Sequence, residues 1–108
     1  MNTISRKDQI INLLESDPEN SFLLFAMAKE YEKGDEWDEA KEVYHKLLNV
    51  DASYIGLYYH YGKLLEYLED KTLALEIYQK GINKSLELND LHARSELQSA
   101  LMNLKSDL

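Results

Sequence analysis

The sequence predicts an all-α protein in which about six antiparallel helices stack into a solenoid, two full repeats flanked by half-repeats. Three observations carry that expectation. The chain echoes itself at a lag of 34 residues: residues 21–54 laid over 55–88 agree at Leu23/Leu57, Lys29/Lys63, Glu32/Glu66, Ala40/Ala74, Glu42/Glu76, Tyr44/Tyr78, Lys46/Lys80 and Asn49/Asn83. Unrelated helical segments of that length would share roughly two such positions. One Pro, four Gly and 44% hydrophobic residues suit helices and argue against disorder or a β-sandwich. Small residues also recur at set points, Ala28 and Ala40, then Gly62, Ala74 and Gly81, as helix crossings with axes about 8–10 Å apart require.

The elements follow in order. The first helix spans about Ser5 to Ser16, with Ile10, Leu13 and Leu14 on one side, and Asp17-Pro18 ends it because Pro cannot continue the backbone ladder. The second starts at Asn20 or Ser21, both good caps, and runs to Lys33 on a stripe of Leu24, Met27, Ala28 and Tyr31. Gly34 suits the left-handed position that stops it, and Asp35 then caps the third helix, Glu36 to Asn49. The buried stripe there is Trp37, Ala40, Tyr44, Leu47 and Leu48. The fourth, Tyr54 to Leu68, buries Tyr58, Tyr61, Gly62, Leu65 and Leu68. Asp70 caps the fifth, whose stripe is Ala74, Ile77, Tyr78, Gly81 and Ile82, and with no Pro to close it this helix runs on toward Leu88. Asn89-Asp90 breaks it and caps a sixth helix to about Lys105, apolar at Leu97, Ala100, Leu101 and Leu104 and polar at Arg94, Ser95, Glu96, Gln98 and Asn103. One-sided polarity is what a terminal cap needs.

Several function classes are disfavoured. The net charge of −8, from 20 acidic and 12 basic residues, speaks against nucleic-acid binding, which needs a basic surface. Without Cys there is no disulfide framework, thiol chemistry or Cys-ligated zinc. No run approaches the roughly 18 apolar residues of a membrane span, and the first residues lack the pattern of a signal peptide. A cytoplasmic location without membrane contact is the expectation. His45, His60 and His92 share no ligand spacing, and no HExxH, GxSxG or Gly-rich phosphate loop is present. No enzyme activity, cofactor or metal is expected. The acids between residues 30 and 42 read as a solvated turn with helix-start carboxylates; the alternative is a patch for a basic partner.

At these positions the chain resembles the tetratricopeptide repeat family, a 34-residue helix–turn–helix unit. Leu24, Met27, Ala28, Tyr31, Ala40, Tyr44 and Leu47 fall on the family's signature positions, and so do Tyr58, Tyr61, Gly62, Leu65, Ala74, Tyr78 and Gly81. Pro18 stands where the family closes a preceding repeat; Ala52 and Leu86 stand in place of the later closing prolines. The resemblance implies a right-handed superhelix and one domain over residues 1–108. Its parts are a half-repeat helix at 4–19, repeats at 21–54 and 55–88, and a capping helix at 89–105.

The same resemblance implies a non-enzymatic module that binds a protein or peptide on a concave face lined by the first helix of each repeat. The residues it assigns there are Phe22, Phe25, Lys29 and Lys33, then Tyr59, His60, Lys63 and Tyr67, with Arg94 closing the groove. Lysines on one face of an acidic protein make an acidic or C-terminal carboxylate ligand a candidate. The family's carboxylate clamp for chaperone tails is not expected, because Phe25 and His60 stand where it uses Lys and Asn. Against the groove, Lys29 and Lys63 can pair within their helices with Glu32 and Glu66, and Tyr54, Tyr59 and Tyr67 can pack at helix edges instead of anchoring an interface. The other functional reading is structural self-association, a homodimer closing an incomplete terminal repeat.

Overall fold

Four helix starts are held by a side chain that accepts a hydrogen bond from the backbone three residues on. A computed structural model describes residues 3–108, and among them six α-helices and no strand: α1 (Arg6–Ser16), α2 (Ser21–Lys33), α3 (Trp37–Val50), α4 (Gly56–Tyr67), α5 (Lys71–Glu87) and α6 (Leu91–Ser106). Ser5 caps α1 through the Asp8 N–H at 3.1 Å, Asn20 caps α2 through Leu23 at 2.9 Å, Asp70 caps α5 through Leu73 at 3.2 Å and Asp90 caps α6 through Ala93 at 3.0 Å. Each satisfies one of the amides that a helix start leaves without a partner. The expectation that Asp35 caps α3 fails: Glu36 holds the cap position with no side-chain bond to the helix.

Three turns share one geometry. The residue after the helix-ending position takes a left-handed conformation, Asp35 at φ 58°, Glu69 at φ 65° and Asn89 at φ 56°. The next amide then reaches back to the carbonyl five residues earlier: Glu36 to Tyr31, Asp70 to Leu65 and Asp90 to Ser85, each at 2.9 Å. This is the Schellman closure. Gly34, expected in the left-handed position, sits one residue too early, with an ordinary φ of −92°. Asp35 therefore carries the strained backbone that excludes it from its expected capping role.

The chain divides into two compact units, one running to Asp51 and the other from Ala52 to Leu108. In the first, α2 packs against α1 and α3 and buries Leu24, Ala26, Met27 and Ala28 with Ile10, Ala40, Tyr44 and Leu47. The Ser21 hydroxyl donates to the Asp51 carboxylate at 2.5 Å, joining the start of α2 to the end of α3. Trp37 and Leu48 are only partly covered. Leu13, expected beside Ile10, is 54% exposed. Leu13 and Leu14 lie on opposite sides of Ile10 around α1, and α1's packing on α2 covers a stripe wide enough for Leu14 but not Leu13.

In the second unit α5 packs between α4 and α6, and α4 also touches α6. Leu57, Tyr58, Tyr61, Leu64 and Leu65 meet Ala74, Ile77, Tyr78 and Ile82, with Leu97, Ala100 and Leu104 beneath. The Tyr58 hydroxyl donates to the Ala52 carbonyl, tying α4 to the turn before it. Gly81 is required by close approach: a Cβ there would stand 2.5 Å from the Tyr58 Cβ and 2.8 Å from Leu97 Cδ1. Ser85, a buried hydroxyl, donates to the Ile82 carbonyl at 2.7 Å and so loses no hydrogen bond on burial. Leu68 and Leu101, expected in the stripes, are half-buried.

Candidate functional site

In the first unit, α2 presents four of the residues expected to bind. Phe22 is 64% exposed. Phe25 is half-buried, its ring edge-on to that of Tyr44 at 6.3 Å between centroids, so it belongs partly to the packing. Lys29 lies 3.4 Å from the Glu32 carboxylate, and Lys33 is exposed at the end of the helix.

In the second unit, α4 presents another four. Tyr59 and His60 are half-buried and meet edge to face at 5.6 Å. Lys63 pairs with Glu66 at 3.8 Å and also stands 5.7 Å from the Tyr59 ring centroid. Tyr67 is 64% exposed. Tyr59 and His60 line a cleft of about 200 Å³ between α4 and α6, together with Asp90, His92 and Glu96 over Leu97. Arg94 does not line this cleft. It stands one turn on from Asp90 along α6, opposite His92 and Glu96 around the helix. Its side chain is half-buried, and the Nε is buried without a hydrogen-bond partner among the described residues.

The polar chemistry of both units follows one plan. The Tyr44 hydroxyl donates to Glu32, which also pairs with Lys29. The Tyr78 hydroxyl donates to Glu66, which also pairs with Lys63. Each triad links a tyrosine on one helix to a Glu–Lys pair one turn apart on its neighbour. Burial, then the hydrogen bond to the glutamate and its negative charge, push both phenols well above the ordinary tyrosine range. These phenols stay protonated and serve as donors. Burial and the nearby Asp70 carboxylate raise Tyr61 as well. In the first unit Lys7 of α1 pairs with Glu36 at 2.5 Å and lies 4.8 Å from the Tyr31 ring centroid; the bond to Glu36 raises its pKa.

Sequence reasoning missed the two triads and the acidic side of the cleft. A signal for the triads was present, since Lys29/Lys63, Glu32/Glu66 and Tyr44/Tyr78 are three of the pairs that agree at the 34-residue lag. No local signal marks the cleft, because α4 and α6 are separated in sequence by the whole of α5 and meet only in the fold. Among the described residues no group of three or more His, Cys, Asp or Glu is placed to hold a metal ion, and no helix is long and apolar enough to cross a membrane.

The solution structure of a tetratricopeptide repeat domain protein from Salinibacter ruber is 35% identical to this chain, matches 82% of it and 90% of its own length, and superposes with a TM-score of 0.79. The chain belongs to the tetratricopeptide repeat family. Its fold is an all-α helical solenoid of that type. Two further tetratricopeptide repeat structures, at lower identity, share the fold. The TPR2B domain of yeast Sti1, in its pHsp70 complex, matches at 16% identity over 94% of this chain and 82% of that one, with a TM-score of 0.86. The first TPR of RPAP3, bound to the HSP90 peptide SRMEEVD, matches at 19% identity over 94% of this chain and 75% of that one, with a TM-score of 0.77. No protein-family model matches the tetratricopeptide repeat chain, and no curated protein does.

Proposed function

We propose that this tetratricopeptide repeat protein is a non-enzymatic binding module that takes a protein or peptide segment on the concave face its family membership implies. The observation that carries the reading is the family itself, at 35% identity over most of the chain. Two proteins of the same fold are complexes, with pHsp70 for the Sti1 domain and with the HSP90 peptide SRMEEVD for RPAP3. The proposed contacts are Phe22, Phe25, Lys29 and Lys33 on α2, and Tyr59, His60, Lys63 and Tyr67 on α4. Phe22 and Tyr67 are the aromatic anchors, being the most exposed of these rings. An acidic or carboxylate-ended partner would use the lysines, but Lys29 and Lys63 each already face a glutamate.

The test is capture of partners from lysate by the immobilised full chain, beside Phe22→Asp and Tyr67→Asp variants. Both positions are exposed, so the fold tolerates the change. A partner lost by either variant supports the proposed face; a partner kept by both moves binding off it. One observation favours the second reading, self-association: Leu91 and Met102 on α6 are 73% and 69% exposed. Solution mass decides it, a dimer that Met102→Glu dissolves being the supporting result.

A further inference from the structure

Two helices, α2 and α4, each carry a second helix on one face; among the described residues the matching face of α6 is open. When the caps Asn20 and Asp90 are matched, Gln98 falls on Ala28 and Met102 on Glu32. The 34-residue lag puts Gly62 and Glu66 at the same two places. These places seat a second helix: Glu32 takes the Tyr44 hydroxyl of α3, and Gly62 and Glu66 meet Tyr78 of α5. On α6 they border a hollow of about 510 Å³, lined by Gln98, Leu101, Met102 and Lys105 with Gln79 and Ile82 of α5. Arg94 stands one turn before Gln98 on this face, its Nε buried without a hydrogen-bond partner among the described residues.

The helix that fits this seat is α1. At the 34-residue lag it lies on α3, Ile10 on Tyr44, Leu13 on Leu47 and Asp17 on Asp51. The two helices also end alike: Asp17 (φ −144°, ψ 69°) donates its N–H to Leu13, and Asp51 (φ −148°, ψ 81°) to Leu47. In α3, Tyr44 and Leu47 form the stripe that packs on α2 and are fully buried, whereas Leu13 is left exposed. Beside it Gln9, Asn12 and Ser16 are exposed and uncharged, in a chain of which 30% is charged. Gln79, Asn83 and Gln98 give the rim of the hollow the same uncharged polarity.

The differences between α1 and α3 are answered on α6. Ile10 takes the place of Tyr44, so no phenol needs an acceptor, and Met102 takes the place of Glu32, so no buried carboxylate needs a donor. The ring of Tyr78 demands a glycine opposite it; the smaller Ile10 leaves room for Gln98. Antiparallel seating sets the end of α1 against the start of α6, where Ser21 and Asp51 join the matching ends of α2 and α3 at 2.5 Å. There Asp17, exposed and taking one hydrogen bond from Asn20 at 2.9 Å, comes within reach of Arg94 and supplies the opposite charge. At the other end Arg6 is turned to Glu30, and Asp107 stands beside Lys105. Leu14 packs on the other side of Ile10, so α1 keeps its place in its own chain while Leu13 makes the contact.

We propose that α1 of a second copy seats on α6 and completes a helix pair between chains. The inference rests on the self-association reading above and names its two unlike surfaces. Because α1 and α6 differ, the contact is head-to-tail, and growth stops only where a ring closes.

The experiment is sedimentation equilibrium of the full chain, of Leu13→Glu, of Met102→Glu, and of the two variants mixed. Both positions are exposed, so both variants fold. The wild type is expected to associate as concentration rises, and each variant alone to associate at least about tenfold more weakly. The equimolar mixture is expected to recover a one-to-one complex, because the Leu13→Glu chain still offers α6 and the Met102→Glu chain still offers α1. Association that Leu13→Glu leaves intact, or that the mixture does not restore, overturns the head-to-tail contact and leaves self-association standing through another surface. A wild type that is monomeric at every concentration overturns both, and lysate capture decides the protein-binding reading separately.

Discussion

Gly62 on α4 and Tyr78 on α5 touch so closely that no side chain fits between them: a Cβ on Gly62 would stand 2.2 Å from Cε1 of the tyrosine ring and 2.7 Å from its Cδ1 and Cζ. The ring cannot give way, because it is fully buried and its hydroxyl is tied to Glu66. Gly62→Ala is therefore expected to destabilise the second unit even though Ala is the better helix former. The cost is about 1–3 kcal/mol, and more for Gly62→Leu. Thermal denaturation checks it: about 4–8 °C of melting temperature goes with each kcal/mol in a chain of this size. Variants that melt with the wild type would refute the close contact.

Tyr44 fills the matching place in the first unit. Tyr44→Ala should leave a cavity and cost about 3–5 kcal/mol. Tyr44→Phe keeps the volume and removes only the donor to Glu32, which should cost about 1–2 kcal/mol. Tyr78→Phe should cost a similar amount through Glu66. Urea denaturation of the three variants separates the packing contribution from the hydrogen bond. Equal losses for the Ala and Phe variants of Tyr44 would mean that the hydroxyl carries the whole effect.

Alkaline pH should unfold the protein through these same phenols. The folded state holds Tyr44 and Tyr78 protonated well above the ordinary tyrosine pKa of about 10, whereas the unfolded chain releases both protons near that value. Above it the unfolded state binds fewer protons, so stability falls as pH rises. The stabilisation is complete below pH 10 and is lost above it, at about 1.4 kcal/mol per pH unit for each tyrosine. Denaturant midpoints measured from pH 9 to pH 11.5 should show the fall, and Tyr44→Phe should lessen the slope. A flat profile would mean that both phenols ionise in the folded state as readily as in water.

The turn after α4 offers a stabilising change. Glu69 holds a φ of 65°, where a side chain costs about 1–2 kcal/mol and glycine costs almost nothing. Glu69→Gly is expected to raise the melting temperature, net of the entropy glycine adds to the unfolded chain. Gly34→Ala should be close to neutral, since Gly34 has an ordinary φ and the nearest atom to a new Cβ is the flexible Glu36 carboxylate at 3.1 Å. The reverse ranking would put the left-handed residue back at Gly34.

How much of this was legible in the sequence depends on the reach of each interaction. Asn20, Asp70 and Asp90 could be read as caps because each bonds an amide three residues away, and Ala74, Ile77, Tyr78 and Ile82 declare one helix face by their spacing alone. The left-handed residue of the first turn was placed one position early. A glycine is the best guess for that conformation, but the backbone bond from Glu36 to Tyr31 decides which residue must bear it. The exposure of Leu13 could not be read, because it depends on what packs over α1. At the candidate site the residue types on α2 and α4 were legible, and their partners were not. That Lys29 and Lys63 face glutamates, that Phe25 leans on Tyr44, and that Asp90 and Glu96 share a cleft with Tyr59 are all facts of assembly.

The two Lys–Glu–Tyr triads have a further consequence for how such a chain can change its length. Every member of a triad comes from its own helix pair, residues 29 to 44 in one and 63 to 78 in the other. A duplicated or deleted helix pair therefore carries its buried phenol, the acceptor for it and the counter-charge for that acceptor as one heritable parcel. Gene-level insertion in steps of 34 residues would leave no tyrosine stranded without an acceptor and no glutamate without its lysine, which makes tandem growth the mutational path of least resistance for this fold.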